Sequence, residues 1–259
     1  MRFDLHCHVK GGSIDSRVTL ERFIELLQIQ DFDGMMITDH DSYRACRYWD
    51  RIKDDTKYKD FVVLRGIEYD TRDAGHFIVV MPDDLYLKVL TIRGMRLARL
   101  ISIVHGNGGI LGPAHPYGVR SSSAMLFGFL AKHPNVIHEF DFIETFNTCE
   151  SPLSNMLAHK MAGKYGKVGT GGTDAHDEKY IGMGYTDIDY NVCCNNDLIT
   201  AIKENRIIDT NGIERKATTR SKMKDSQLGV LGFKVYNQGI SKILKPYRKR
   251  QALRTKHEE

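Results

Sequence analysis

No stretch of this 259-residue chain approaches the roughly 20 consecutive apolar residues that span a bilayer, so an integral membrane protein is not expected. The chain opens directly on a strand-like segment, without an apolar secretory leader. Its cysteines are five, an odd and scattered set (Cys7, Cys46, Cys149, Cys193, Cys194). A disulfide framework is therefore not expected, and a reducing cytoplasm is the simplest compartment. There is no internal repeat at a fixed short period and no Pro/Ser linker tract before about residue 212. Apolar residues are not scarce: at 41% they supply a core for one large α/β domain or two small ones, which sets aside disorder and fibrous architectures. The net charge of +4 is unevenly spread. From Ile213 onward thirteen Lys/Arg face four Asp/Glu, about +9, leaving about −5 on the first 212 residues.

What the chain does have is Asp4-Leu5-His6-Cys7-His8, two histidines at i and i+2 on an extended segment, which project to the same side. That is a metal-ligand spacing, although a lone pair of this kind could equally be a turn residue and a solvated one. Other polar clusters share its setting. Val18 to Gln30 carries a helical stripe (Leu20, Phe23, Ile24, Leu26, Leu27) with Ser16 or Thr19 as cap. Gly34 to Thr38 reads as a strand ending in Asp39-His40-Asp41, and a helix follows from Tyr43 to about Lys53. Phe61 to Glu68 is the third strand and delivers Glu68. Gly75 to Val80 has His76 at its beginning, as a returning or antiparallel strand would. A long helical stretch is expected from Asp83 to about His105, then a strand Gly109 to Ala114 ending in His115-Pro116. A helix Ser121 to Lys132, a strand Phe140 to Glu144 and a helix Ser154 to Tyr165 lead to Val168 to Thr173, which opens into Asp174-Ala175-His176. The glycines there suit a close backbone approach. A helix Asn195 to Asn205 and a short strand Arg206 to Asp209 close the series. About seven strand-then-helix units with polar clusters at strand ends predict a parallel barrel whose clusters converge on one rim.

Asp4-Leu-His6-Cys-His8, Thr38-Asp-His40-Asp41, Gly66-Ile-Glu68, Ala114-His115-Pro116 and Gly172-Thr-Asp174-Ala-His176, in this order over residues 1–212, resemble the successive motifs of the PHP family, named for polymerase and histidinol phosphatase domains. The resemblance implies a distorted seven-stranded (β/α) barrel, TIM-like, with phosphoesterase activity and two or three divalent transition-metal ions, variously zinc, manganese or iron. It would place His6, His8, Glu68 and Asp174 on a first metal, with Glu68 bridging to a second held by His76 and His115, and Asp15, His40 and His176 on a third. Asp15 stands where many members have a histidine, and an aspartate also occurs there. Glu68, Asp174 and His176 would carry catalysis. The chemistry agrees independently: imidazole with carboxylate suits such metals rather than calcium, and a metal pair can bridge a hydroxide for in-line attack at phosphorus. The expected substrate is a phosphomonoester of a small metabolite or nucleotide. The alternatives are a histidinol-phosphate phosphatase, an exonuclease-like phosphodiesterase on short oligonucleotides, and a non-catalytic metal-binding scaffold, against which the complete ligand set argues.

Around these residues, Cys7 alternates with its histidine neighbours and is expected to point into packing. Asp4 is expected to orient a ligand, Asp41 to cap the following helix, Arg65 to be structural, and His105 to complement a helix C-terminus. His76 has an alternative as a core histidine, and His133, His138 and His159 match no motif. Arg120, four residues after Pro116, could clamp a substrate phosphate bidentately or form a structural ion pair. The chain is thus divided into a barrel, 1–212, and a basic extension, 213–259. In the extension, Ile240 to Thr255 reads as a basic amphipathic helix interrupted by Pro246. Packing on the barrel is its first reading, and contact with anionic lipid or nucleic acid its second.

Overall fold

β1 (Arg2–Cys7) lies inside a seven-stranded sheet whose order is β5-β4-β3-β2-β1-β8-β9, with β2 (Gly34–Ile37), β3 (Val62–Thr71), β4 (Gly75–Val80), β5 (Ile110–Pro113), β8 (Gly184–Ile188) and β9 (Ile207–Gly212). β6 (Phe142–Asn147) and β7 (Val168–Gly172) form a separate parallel pair. The structure, a computed structural model, describes residues 1–54, 57–118, 121–126 and 129–215. The basic extension therefore lies outside the described residues except for 213–215, and the amphipathic stretch at 240–255 lies wholly outside them.

The helices form where an apolar stripe recurs every three to four residues. α1 (Leu20–Gln28) buries Leu20, Phe23, Ile24 and Leu27, and Thr19 caps it, its side chain accepting from Arg22 N at 3.3 Å. α2 (Arg44–Ile52) buries Ala45, Cys46 and Trp49. α3 (Leu97–Gly106) buries Leu97, Leu100, Ile101 and Val104. After α4 (Phe129–Lys132), α5 (Pro152–Tyr165) starts on Ser151, whose hydroxyl accepts from Ser154 N, and stops at Gly166 in the left-handed region. Side chains from α1, α2, α3 and α5 join one face of the strands in one core cluster. The opposite face (Phe3, Leu5, Met36, Leu64, Ile78, Val80, Ile110, Phe142) packs inside the curl and is plugged by Leu198, Ile199, Ala201 and Ile202 of α6 (Asn195–Lys203).

Three expectations change. The closed parallel barrel becomes a curled, mixed sheet. β1-β2-β3 are parallel, but β4 runs antiparallel to both β3 and β5, and β8 antiparallel to both β1 and β9. β6 lies beside β5 and β7 beside β1. These joints are not ladders: Asp141 N donates to Leu111 O at 2.9 Å and Asp174 N to His6 O at 2.8 Å, with an isolated bridge between Cys7 and Ala175. The helix expected from Asp83 to His105 is only a 3-10 turn at Lys88–Thr91 followed by α3. The Tyr69 hydroxyl donates to Ile92 O and accepts from Met95 N, and Gly94 has φ +90°, so this stretch is held out of helix. The helix expected over Ser121 to Lys132 is a 3-10 turn at Ala124–Leu126 and the single turn of α4. β8 was not anticipated, because Gly-Tyr-Thr-Asp-Ile offers no clear apolar run. The expected antiparallel placing of His76 at the start of β4 is found.

One irregularity positions the site. The β1–β2 register shifts between Asp4 and Cys7. Phe3 and Leu5 belong to the inner cluster and Cys7 to the outer one, which strict alternation would forbid. The shift turns His6 and His8 inward above Phe3 and Leu5. At the facing strand end, a Cβ on Gly172 would sit 2.5 Å from His6 N and 2.6 Å from His6 Cβ. Gly172→Ala should therefore cost about 1–3 kcal/mol by overpacking, read as a lowered denaturation midpoint. An unchanged midpoint would show that this joint yields freely.

Candidate metal centre

The end of β1 presents both imidazoles with one nitrogen already engaged. His6 Nδ1 is 2.8 Å from Glu144 Oε1, and His8 Nδ1 is 3.0 Å from Ser13 Oγ. Both Nε2 atoms are thereby aimed at one point, 3.2 Å apart. Asp174 Oδ1, beyond β7, is 3.7 and 3.1 Å from the Nε2 atoms of His6 and His8, and Glu68 Oε2 on β3 is 3.7 and 3.4 Å from them. Tetrahedral ligands at bond lengths of about 2.1 Å stand about 3.4 Å apart, so the atoms of His6, His8 and Glu68 suit one transition-metal cation, with Asp174 Oδ1 against both histidines.

Glu68 extends the cluster. Its Oε1 is 2.8 Å from His76 Nδ1 and 2.9 Å from His115 Nε2, and its Oε2 is 2.8 Å from His40 Nδ1. Yet buried Oε2 accepts no hydrogen bond among the described residues. An oxygen ringed by imidazole nitrogens and bonded to none is the environment a cation completes. Asp15 Oδ2 lies 3.2 Å from His176 Nε2 and 3.5 Å from His40 Nε2, at the open side of the cluster. All nine expected ligands thus lie in one contiguous cluster, His76 included. Arg120 lies outside the described residues.

Charge balance among these groups is extreme without a metal. Burial alone would lower His6, but the carboxylates of Glu144, Asp174 and Glu68 raise its pKa well above the ordinary value. His40 and His115 rise against the same burial penalty, chiefly because of Glu68, His115 to about 9. Burial would raise Glu68 and Asp174, but the neighbouring imidazoles outweigh it and hold both well below the carboxylate range. His8 falls to about 3, first through burial and then through His176 and His40. Protons here occupy the role that metal cations would take.

Sequence reasoning missed the residues that hold these ligands. Besides orienting His6, Glu144 accepts from His115 N at 2.5 Å and from Asn147 Nδ2 at 3.2 Å, and the same amide reaches Asp174 Oδ2 at 3.3 Å. Glu144 was in principle visible, being a carboxylate near a strand's carboxyl end like the expected ligands. Ser13, which also accepts from His40 N at 3.1 Å, carried no such signal. Glu144→Gln should weaken metal affinity about ten- to hundredfold, measured by competition against a chelator, because the carboxylate that fixes the His6 ring is lost. Unchanged affinity would mean that His6 is held by its remaining neighbours.

Asp4 acts on the ligands through their backbone, accepting from His6 N at 3.3 Å. Its oxygens accept from Thr173 N at 2.8 Å and Thr173 Oγ1 at 2.5 Å, pinning the backbone just before Asp174. Asp41 is not a helix cap: it has φ +46°, accepts from Asp70 N at 3.0 Å, and α2 begins later, after Tyr43. His115 (φ +30°) and Asp174 (φ +51°) also adopt left-handed conformations, which non-glycine residues hold only where surroundings over-determine them. Cys7 is buried in the outer core, Arg65 pairs with Asp50 and Asp83 at 2.8 Å, and His105, in the last turn of α3, lies 2.9 Å from Asp141. His133 and His138 pack on the rings of Phe129 and Tyr165, and His159 lies on α5.

Comparison with known proteins bears on this cluster. No curated protein sequence matches the chain. Residues 152–207 match the family model described as PHP-associated. Among solved structures, a two-domain protein from Bacteroides vulgatus containing a predicted PHP-like metal-dependent phosphoesterase is similar at TM-score 0.55 and 15% identity, over 80% of this chain and 63% of that one. A lesion-specific endonuclease from Pyrococcus furiosus is similar at TM-score 0.57 and 14% identity, over 86% of this chain and 66% of that one. The chain thus spans slightly under two thirds of each. An amidohydrolase from Chromobacterium violaceum, with bound sulfate and no metal, is similar at TM-score 0.57 and 14% identity, over 80% of this chain and 97% of that one. At these identities the likeness is one of fold. The matched PHP-associated segment, and a fold shared with a protein containing a predicted PHP-like phosphoesterase, support the resemblance of the five motifs to the PHP family of polymerase and histidinol phosphatase domains.

Proposed function

We propose that the protein is a metal-dependent hydrolase of phosphate esters, acting on a phosphomonoester of a small metabolite or nucleotide. The observation that carries this reading is Glu68: one buried carboxylate whose two oxygens face different sets of imidazoles, with Oε2 left without a hydrogen bond. Such a carboxylate suits two nearby cations. His6, His8, Glu68 and Asp174 would hold the first, Glu68, His76 and His115 the second, and Asp15, His40 and His176 a third at the open side. Zinc, manganese or iron fits this donor set. Bound there, the ions supply Lewis acidity, lowering the pKa of water and neutralising phosphoryl oxygens. The chain's own part is to keep Nε2 of His6 and His8 forward through Glu144 and Ser13, and to fix Asp174 through Asp4, Thr173 and Asn147. The free state of all five cysteines supports a reducing, cytoplasmic setting, and no helix among the described residues is long and apolar enough to cross a membrane.

The test is metal analysis of purified protein, followed by phosphate release from a panel of phosphomonoesters, histidinol phosphate, dinucleotides and nucleoside bisphosphates in added manganese. Release from phosphomonoesters is expected. Cleavage of oligonucleotides alone would favour the phosphodiesterase reading, which the fold shared with the endonuclease supports. Metal without turnover of any ester would leave a scaffold or a different hydrolase and would overturn the proposal.

A further inference from the structure

We propose that Arg215 binds a second anionic group of the substrate, on the rim beside Asp174 and His176, so that the preferred substrates are esters with two anionic groups. This deepens the phosphoesterase reading and rests on it. Arg215 follows β9, and its backbone N donates to Thr148 O at 2.7 Å, fastening it to the loop that leaves β6. Its guanidinium stands 4.6 Å from the centre of the Tyr180 ring, in the turn that follows His176. Beside it is the thiol of Cys149, whose Sγ lies 3.5 Å from Thr173 O and 3.4 Å from Asp174 O. The guanidinium is thus wedged between the two loops that carry the β6 and β7 side of the metal centre.

It lacks a counter-ion there. The guanidiniums of Arg2, Arg22, Arg65, Arg93 and Arg206 each pair with a carboxylate, whereas no carboxylate lies within ion-pair distance of Arg215 among the described residues. Its Nε is buried without any hydrogen-bond partner. Glu150, on the same loop as Cys149, accepts from Ser121 Oγ at 3.0 Å instead. Among the described residues the half-buried guanidinium has the Cys149 thiol and no carboxylate beside it, and its planar fork matches a phosphate or carboxylate that would complete it. The thiol beside it meets Asp174 at the backbone carbonyl oxygen, not at the carboxylate aimed at the histidines. Arg215 is therefore assigned a second anionic group, and the phosphoryl group under attack is left to the metal ligands.

The test uses matched pairs on one scaffold, alkyl phosphates and the corresponding alkanediol bisphosphates of three to six carbons, with the parent protein, Arg215→Gln and Arg215→Lys. Arg215→Gln should raise KM for the best bisphosphate about ten- to hundredfold, the worth of one or two charge-assisted hydrogen bonds, and leave kcat and the monophosphate KM unchanged. Arg215→Lys should recover part of the loss. Calorimetric binding of the alkane bisphosphonate, which needs no turnover, should fall by the same factor while the monophosphonate is unaffected. Equal losses on mono- and bis-substituted ligands, or a lowered Tm with an unchanged binding ratio, would overturn the assignment. If the parent releases phosphate from neither substrate, the phosphoesterase reading fails, and the bisphosphonate titration then decides the Arg215 site by itself.

Discussion

Glu68→Ala should leave the purified protein with less than about one equivalent of transition metal where the parent carries about two or more, and should lower turnover at least about a thousandfold. The size of the effect follows from geometry. Glu68 is the carboxylate that lies within 3.7 Å of ring nitrogens of His6, His8, His40, His76 and His115 at once. Removing it deletes a ligand from two proposed sites together, along with the negative charge that lets two cations approach one another. It also leaves His40 and His115 without their principal anionic partner. Glu68→Gln keeps the volume and loses the charge, so equal effects from both variants would locate the cause in charge and not in a cavity. Full metal content and turnover in Glu68→Ala would end the assignment of Glu68 as the shared ligand.

Stripped of metal by a chelator, the protein should lose stability as pH rises from about 6.5 to 9, on the order of 5–10 °C in Tm, while the manganese-loaded protein should not. The sign comes from the histidines. His6, His40 and His115 have folded-state pKa values above the unfolded value of about 6.5, so their stabilisation is complete below that pH. It is lost as pH climbs through the folded values, about 9 for His115. Asp41, pushed by burial to about 7, acts in the same direction at the start of this range, while Asp4 and Asp39, pushed to about 6, lose most of their contribution below it. Glu68 and Asp174 are depressed, so their contribution is present above an unfolded value of about 4 and constant across this window. His8, depressed to about 3, costs stability only as pH falls below about 6.5. Bound cations replace those protons and bind better as the imidazoles deprotonate, so the gap between loaded and stripped Tm should widen toward pH 9. Melting curves with chelator and with manganese at half-unit pH steps measure it. A stripped protein whose Tm is flat or rising over this window would show that the cluster does not hold its protons this way.

What the sequence disclosed about this site were the features that strand geometry writes into local order. Histidines two apart at the end of β1 and the glycines before Asp174 are readable because side chains on a strand alternate and polar groups gather near strand ends, whereas Glu68 lies inside β3 and not at the strand end expected of it. Features decided by distant partners left no local trace. The register shift in β1 depends on its pairing with β2, and Ser13 becomes a histidine's partner only because a loop folds under His8 and His40. The stretch from Asp83 to His105 has a helical apolar pattern, yet the Tyr69 hydroxyl from another strand competes for its backbone. Arg215 reads as the start of a basic extension, and only its packing between two loops sets it apart.

The joint between β1 and β7 makes the molecule a clasp. A ladder would resist parting with a row of backbone bonds, but here the seam holds one isolated bridge, the Asp174 N to His6 O bond and the Asp4 grip on Thr173. His6 and His8 stand on one lip of the seam, and Asp174 and His176 on the other. An ion gripped by both lips would latch it, so ion release would loosen this edge of the β6–β7 flap, whose other edge stays tied to β8 and β9 through Gly171 N to Thr186 Oγ1 and the Thr145 and Thr210 hydroxyls. Amide protons along 168–174 would then exchange with solvent at a rate set by free ion concentration, making this flap the part of the fold that reports occupancy.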